Sequence, residues 1–493
     1  MVSRNLVNRG AEAAKLRGLL DKGKPALALV YGRRRVGKTY LLTQLWPPEQ
    51  VLYYPASSTA AAINRRVLIE EAARWSGQEL RAEDHPTWRA VFRTLFNLRP
   101  HEPVVVVLDE FQYLADGESG LREIASELNA VWESGLSRSS GLLVALCGSA
   151  VSTLRALAAG GSPLYGRLDL QLSIKPFDYY DAGMMVARYS LRDRVRAYAA
   201  FGGMPANLAV VDDSRSVGEN ITELLLSPHG VVRTRLLTEI DQEEGLRNTA
   251  RYRAVLAGIG LGARTVGEVA SKMGQRVDTP LRRVVNQLEG MSYLVREANF
   301  GGSTQRYRLA DPAARFHYGI GLLSESAVAT LGAETAWRTR IEPEVFPTYV
   351  GSHVFEDVAR QACRRWAPER GLPAMAEWGK WVGRDRSRRE VEIDLAGRTL
   401  DGTVVTGSVK FRTRPAGART YLDHVIALER LADSGLGWAR EALMPNSPFW
   451  FISAGGFAPS FHEVADPSRQ IICWSMNDLY PDQPITDFSS TDG

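Results

Sequence analysis

The sequence predicts an α/β protein, a parallel sheet around a phosphate-binding loop, followed by a helical segment, a three-helix-and-hairpin unit and a second α/β domain. Three observations carry this. The run Gly32-Arg33-Arg34-Arg35-Val36-Gly37-Lys38-Thr39 lies between a short apolar run at residues 26–31 and an apolar helix start at residues 39–45. Further apolar runs at residues 104–108 and 142–146 alternate with helical patterns, as buried parallel strands and their crossover helices do. The chain has 493 residues, 45% of them hydrophobic, enough for three or more domains with cores of their own.

The loop has the form G-x-x-x-x-G-K-T. Its glycines let the backbone wrap phosphate oxygens with N–H groups pointing inward, and the helix that follows adds partial positive charge. In this P-loop NTPase arrangement all of Gly32, Arg33, Arg34, Arg35, Val36, Gly37, Lys38 and Thr39 line the nucleotide. Lys38 reaches the outer phosphates, and Thr39 is a magnesium ligand. Arg33, Arg34 and Arg35 occupy unconstrained positions; they face DNA, a partner or solvent, with solvent and acidic neighbours favoured.

Val104-Val105-Val106-Val107-Leu108 ends in Asp109-Glu110, two acids where open α/β sheets bind ligands. Asp109 is the second candidate for magnesium and Glu110 the general base for an attacking water. An ordinary strand followed by a helix-capping acid is the competing reading, weakened by the loop. The third run meets Cys147-Gly148-Ser149, where Ser149 either senses the terminal phosphate or closes a turn. Arg167, after a tight turn, either stabilises transition-state charge, from its own subunit or a neighbour, or makes a surface salt bridge.

Composition narrows the remaining classes. Net charge is +4, compatible with nucleic acid without arguing for it. The three cysteines, Cys147, Cys363 and Cys473, are far apart, and the seven histidines do not cluster, so neither a disulfide framework nor a zinc site is expected. No stretch resembles a signal peptide or a membrane span, which makes a cytoplasmic location and no membrane partner the expectation.

Boundaries follow from pattern changes. Residues 1–176 form the ATPase core and residues 177–238 a helical lid, broken at Gly202-Gly203-Met204-Pro205. Residues 239–325 show three helical stretches (252–259, 265–273 and 279–291) and two strands (293–297 and 305–309) joined by a Gly301-Gly302-Ser303 turn. This is the winged-helix layout. Arg276, Arg282, Arg283 and the hairpin's Arg306 are candidate DNA contacts, with Arg308 beside them; a spacer that packs on the ATPase is the alternative. Residues 340–482 are α/β again, with strands at 391–395, 404–410 and 449–453. Residues 483–493 are polar and expected to be disordered.

In the last domain Arg389-Glu390-Val391-Glu392-Ile393-Asp394-Leu395 alternates strictly, so Glu390, Glu392 and Asp394 share one strand face. Ser408 and Lys410 share a face of the next strand. Acids on adjacent strands with a nearby lysine form a metal-nuclease pattern, carboxylates holding magnesium and lysine orienting water.

Taken in order, Arg9 with Glu12, the loop, Asp109-Glu110, Gly148-Ser149, Gly166-Arg167 and Gly202-Gly203-Met204-Pro205 resemble the archaeal-type ATPases of the AAA+/STAND group. Tyr307-Arg308-Leu309-Ala310-Asp311-Pro312 and Arg315-Phe316 extend the resemblance past the ATPase. It implies that Arg9 lies near adenine, that ATP is the nucleotide and that Arg167 is the charge-sensing arginine. It also implies a restriction-endonuclease-like C-terminal domain, with Trp378 and Trp381 before the acidic strand and Glu356, Asp394 and Lys410 in the nuclease positions. Ser408 departs from the pattern, which has glutamate there; Glu392 is the candidate substitute. The domain is therefore a decayed DNA-binding or scaffold fold, an active nuclease or an unrelated α/β domain.

The expected function is an ATP- and magnesium-dependent ATPase associated with DNA, forming a homo-oligomer if Arg167 acts in trans. The alternatives are a nucleotide-dependent assembly switch without DNA and an ATP-regulated, magnesium-dependent DNA nuclease in defence.

Overall fold

The computed structural model describes residues 7–135, 140–243, 246–302, 305–370 and 374–481. The expected polar tail and Ser303 of the hairpin turn lie outside these residues. The chain forms two compact units, Met1–Pro176 and Phe177–Gly493.

In the first unit, β1 (Pro25–Tyr31), β2 (Val51–Pro55), β3 (Val104–Asp109), β4 (Leu142–Gly148) and β5 (Leu170–Ser173) make one sheet in the order β2-β3-β4-β1-β5. Every pairing is parallel. β3 and β4 are buried along their whole length, which explains why they read as unbroken apolar runs. Register aligns the strand ends: Tyr31 stands beside Gly148, and Pro55 beside Asp109. The loop and both acids therefore gather at one edge. Helix α1 (Gly10–Leu20) precedes the sheet, α2 (Lys38–Gln44) follows the loop, and α3 (Ala61–Ser76) and α4 (Trp88–Asn97) lie between β2 and β3. Trp88, Phe92 and Phe96 of α4 stack in turn, each pair 5.7 Å apart, on a core that includes Leu52 and Val106. The Thr87 side chain caps α4 by accepting from the Ala90 N–H.

The second unit opens with helices. The helix Leu191–Phe201 ends at Gly202, whose φ is +67° and whose added Cβ would collide with Asp311; one on Gly203 would collide with the Phe177 carbonyl. Pro205 then starts the next helix. Three helices, Thr249–Gly260, Val266–Lys272 and Thr279–Gly290, lead into the antiparallel hairpin β6 (Leu294–Ala298) and β7 (Gln305–Leu309). Asp278 caps the third helix by accepting from the Leu281 N–H.

The C-terminal sheet holds β8 (Met375–Arg384), β9 (Glu390–Thr399), β10 (Val404–Gly407), β11 (Val409–Lys410), β12 (Phe449–Ser453) and β13 (Ile471–Trp474). Its order is β11-β12-β10-β9-β8, with β13 also on β12. β8 to β10 run antiparallel, whereas β12 pairs in parallel with β10, β11 and β13. The single strand expected over residues 404–410 breaks at Ser408, because the Val409 N–H donates to the Asp394 carboxylate at 2.8 Å instead of entering the ladder. The hairpin end is tied to this sheet: the Phe300 N–H donates to the Lys380 carbonyl at 2.9 Å, and the Phe300 ring packs edge-on against Trp438. No helix among the described residues is long and apolar enough to cross a membrane.

Two buried histidines give this unit a defined acid sensitivity. Burial pushes His317 down to about 4, with Arg233 adding to it, and burial pushes His424 down to about 3. A histidine neutral in the folded state and basic when unfolded stabilises fully above its unfolded value of about 6.5 and loses that stability as pH falls. Unfolding free energy should drop by on the order of 3 kcal/mol per histidine between about pH 6.5 and 4. Urea titrations across that range check it, and His424→Asn should flatten the slope.

Candidate functional site

The nucleotide loop is bent by two left-handed residues, Arg35 at φ +66° and Gly37 at φ +92°. Gly32 has no room for a side chain, since a Cβ would strike the Ile174 carbonyl. Lys38 is buried, and its ammonium donates to the Gly32 and Arg33 carbonyls at 2.8 and 3.0 Å. Of its three N–H donors these leave one. Val36 is buried in the loop. Arg9 is also buried and donates to the Val36 carbonyl at 3.2 Å and the Lys175 carbonyl at 2.7 Å, so it braces the loop backbone.

The three loop arginines do not share one environment. Arg35 is exposed, as expected for solvent. Arg33 is buried and Arg34 half-buried, donating to the Tyr113 hydroxyl at 2.9 Å. The solvent-facing expectation is corrected for both, because the loop folds back on the sheet and the turn after β3.

Asp109 closes the β3 end. Its Oδ2 accepts from the Thr39 hydroxyl at 2.7 Å and the Tyr53 hydroxyl at 2.8 Å, and its Oδ1 from the Glu110 N–H at 2.9 Å. Burial, then the neighbouring Asp109 charge, pushes Tyr53 well above the ordinary phenol range, so it stays a donor. Thr39 and Asp109, a hydroxyl and a carboxylate side by side, are the hard oxygen pair a magnesium ion takes alongside phosphate.

Glu110 adopts a left-handed backbone at φ +49°, an uncommon state for a side chain with a Cβ and one that costs about 1 kcal/mol or more. The turn aims its carboxylate back across β4. Oε2 accepts from the Ser149 hydroxyl at 2.8 Å, the Ser149 N–H at 3.0 Å and Gln112 Nε2 at 2.5 Å. Among the described residues no donor meets Oε1. A Cβ on Gly148 would press on the Gln112 amide oxygen, so a larger residue there would displace the Gln112 side chain that donates to Glu110. Gln112 and Tyr53 escape sequence reasoning; the left-handed turn at Glu110 brings Gln112 in, and the β2–β3 pairing brings Tyr53. Arg167 pairs with Glu133 at 2.6 Å on a half-exposed surface, the salt-bridge alternative rather than a contact with the loop.

A second cluster lies in the C-terminal sheet. Carboxylate oxygens of Glu356, Glu392 and Asp394 all come within 4.8 Å of one another. Asp394 Oδ2 accepts from Ser408 Oγ at 2.8 Å and Lys410 Nζ at 2.9 Å. Burial opposes the charge on Asp394, but Lys410 and these donors hold its carboxyl below the usual range. Burial raises Glu356 to about 7 against the pull of Lys380, which donates to it at 3.1 Å and lies 3.5 Å from Glu392. Lys380 was not singled out in the sequence, because β8 lacks an apolar alternation to place it. Ser408 donates to Asp394 instead of replacing a third acid. Arg276, Arg282 and Arg283 are exposed, and Arg306 is half-buried beside the hairpin. Arg308 is corrected as a free contact: it pairs with Glu297 and with Asp357.

Residues 6–211 match the model of a family described as an ATPase domain predominantly from Archaea. This stretch is a P-loop ATPase domain. An uncharacterized protein of Methanocaldococcus jannaschii, MJECL04, is 24% identical over 398 residues, 79% of this chain and 83% of the relative. Among solved structures, the Walker-type ATPase Paby2304 of Pyrococcus abyssi covers 65% of this chain and 98% of its own at 22% identity and a TM-score of 0.49. The Aeropyrum pernix ORC2 protein, in ADPNP–ADP complexes, covers 69% and 97% at 13% identity and a TM-score of 0.42.

Proposed function

We propose that the protein hydrolyses ATP with Glu110 as general base and uses the turnover in a DNA-directed task. The observation that carries the chemistry is the Glu110 carboxylate, oriented through Oε2 by three donors with Oε1 left to take a proton. Lys38 keeps one N–H for the outer phosphates, and the loop N–H groups cradle them. Thr39 and Asp109 would hold magnesium, which supplies charge neutralisation on the phosphates when bound. Arg9 positions the loop through Val36. Arg167 takes part only if its pair with Glu133 opens.

The DNA reading rests on the third helix before the hairpin. Leu281, Val284, Val285 and Leu288 are buried, so Arg282 and Arg283 stand on the opposite, exposed face of this winged-helix-like unit. The hairpin tip is held on β8, so the helix rather than the wing tip would meet DNA. DNA should raise the ATPase rate, and Arg282→Ala with Arg283→Ala should abolish the stimulation without changing the basal rate. An equal rate with and without DNA over a range of salt would leave the nucleotide switch as the better account.

A second reading, magnesium-dependent cleavage by the C-terminal domain, is favoured by the Glu356–Glu392–Asp394 cluster. These residues fit a divalent cation, with Lys410 beside them to orient water. Cleavage of DNA that requires magnesium and disappears in Asp394→Ala would establish it.

A further inference from the structure

A cleft of about 250 Å³ opens between the hairpin, the helix Glu356–Trp366 and β8. Its walls are crowded with charge, and the pairing of that charge is uneven. Every carboxylate in it is engaged. Glu297 pairs with Arg308; Asp357 pairs with Arg308, Arg315 and Arg360; Glu356 and Glu392 face Lys380. Two cations remain. The guanidinium groups of Arg264 and Arg306 line the same cleft and, among the described residues, form no ion pair, although the Arg264 backbone N–H donates to the Glu268 carboxylate at 2.6 Å. Glu297 lies directly across the ladder from Arg306, but its carboxylate is taken by Arg308.

Backbone geometry brings the segments that carry the two arginines together. The Tyr307 N–H donates to the Arg264 carbonyl at 2.7 Å, so residue 264 runs along the outer edge of β7 next to Arg306. Burial, and then Arg315, Arg308 and Arg306, push the Arg264 guanidinium down against the pull of Glu297. An uncompensated pair of half-buried guanidiniums attracts an anion strongly, and their planar forks match phosphate oxygens.

We propose that Arg264 and Arg306 form a binding site for a phosphate group, of a nucleic-acid strand or of a free phosphate or nucleotide. The cleft falls just short of the roughly 300–1,000 Å³ of ordinary small-molecule pockets, which suits one nucleotide unit and not a duplex. Because Glu356 and Glu392 line the same cleft, a strand held there would lie beside the carboxylate cluster. In that form the inference rests on the DNA reading; as a phosphate site it does not.

The test uses the full chain with a short, labelled, 5′-phosphorylated single-stranded oligonucleotide, read by fluorescence anisotropy, with inorganic phosphate and AMP as separate ligands. Arg264→Gln and Arg306→Gln should each weaken binding about ten-fold with unchanged thermal unfolding. Loss for the oligonucleotide alone identifies a strand site. Loss for phosphate or AMP identifies a free-phosphate site. Unchanged affinity for all three ligands in both variants overturns the proposal. If Arg282→Ala and Arg283→Ala weaken DNA binding while these two variants do not, the DNA reading stands and the cleft inference alone falls.

Discussion

Glu110→Gln should lower ATP turnover by about 10²–10⁴-fold while leaving nucleotide affinity close to that of the unaltered chain. The amide keeps the size of the carboxylate and can still accept from Ser149, so the turn and the loop survive. What it loses is the basic oxygen. Lys38→Ala should behave differently, because the ammonium is both a phosphate ligand and the clamp on the Gly32 and Arg33 carbonyls. Affinity and turnover should fall together in that variant. Phosphate release and the binding of a fluorescent ATP analogue separate the two outcomes. Turnover in Glu110→Gln equal to the parent rate would remove the general base from this position. Ser149→Ala is the finer probe. It deletes one of three donors to Oε2 and leaves the base itself, so a smaller loss of kcat with unchanged binding is expected.

These residues were legible to different depths. The loop, its strand and its helix are contiguous, and an apolar run before a glycine loop admits few other folds, so Lys38 and Thr39 could be read directly. Asp109 and Glu110 were legible because four valines demand a strand buried on both faces. The orientation of Glu110 was not. It depends on a left-handed turn that no local pattern encodes and on Ser149, which reaches it only through strand order. Tyr53 likewise meets Asp109 across a sheet pairing. In the C-terminal domain, the alternation of β9 placed Glu392 and Asp394 correctly on one face. β8 was missed because it is an edge strand of mixed exposure, with Glu377, Gly379, Lys380 and Gly383 interrupting any period. The break at Ser408 was missed because it arises from Asp394, fourteen residues away in sequence.

Replacing Asp357 should cost the second unit about 3–5 kcal/mol, the range for removing one member of a buried ionic network. Asp357 is 5% exposed and gathers three guanidinium groups: Arg315 at 2.8 Å, Arg308 at 3.3 Å and Arg360. These come from the helix Pro312–Phe316, from β7 and from its own helix, so one carboxylate joins three elements. Burial opposes its charge, yet the arginines hold it far below the usual carboxylate range. Its folded value is depressed, so its contribution is complete above the unfolded value of about 3.9 and is lost only in stronger acid. That separates it from the buried histidines, whose contribution disappears at milder pH. Asp357→Asn keeps the shape but removes the anion the three guanidiniums share, leaving Arg308 to Glu297, Arg360 to Glu356 at 3.9 Å and Arg315 with no acid among the described residues, and domains with about 5–15 kcal/mol of total stability tolerate such a loss poorly. A lowered urea midpoint at pH 7 is expected, and a change under about 1 kcal/mol would mean that the arginines are solvated by other means. Adding Arg315→Met to Asp357→Asn should recover part of the loss, since one unpaired guanidinium is removed with its partner. The cluster also forms one wall of the cleft that holds Arg264 and Arg306, so its integrity sets the charge left over for a phosphate there.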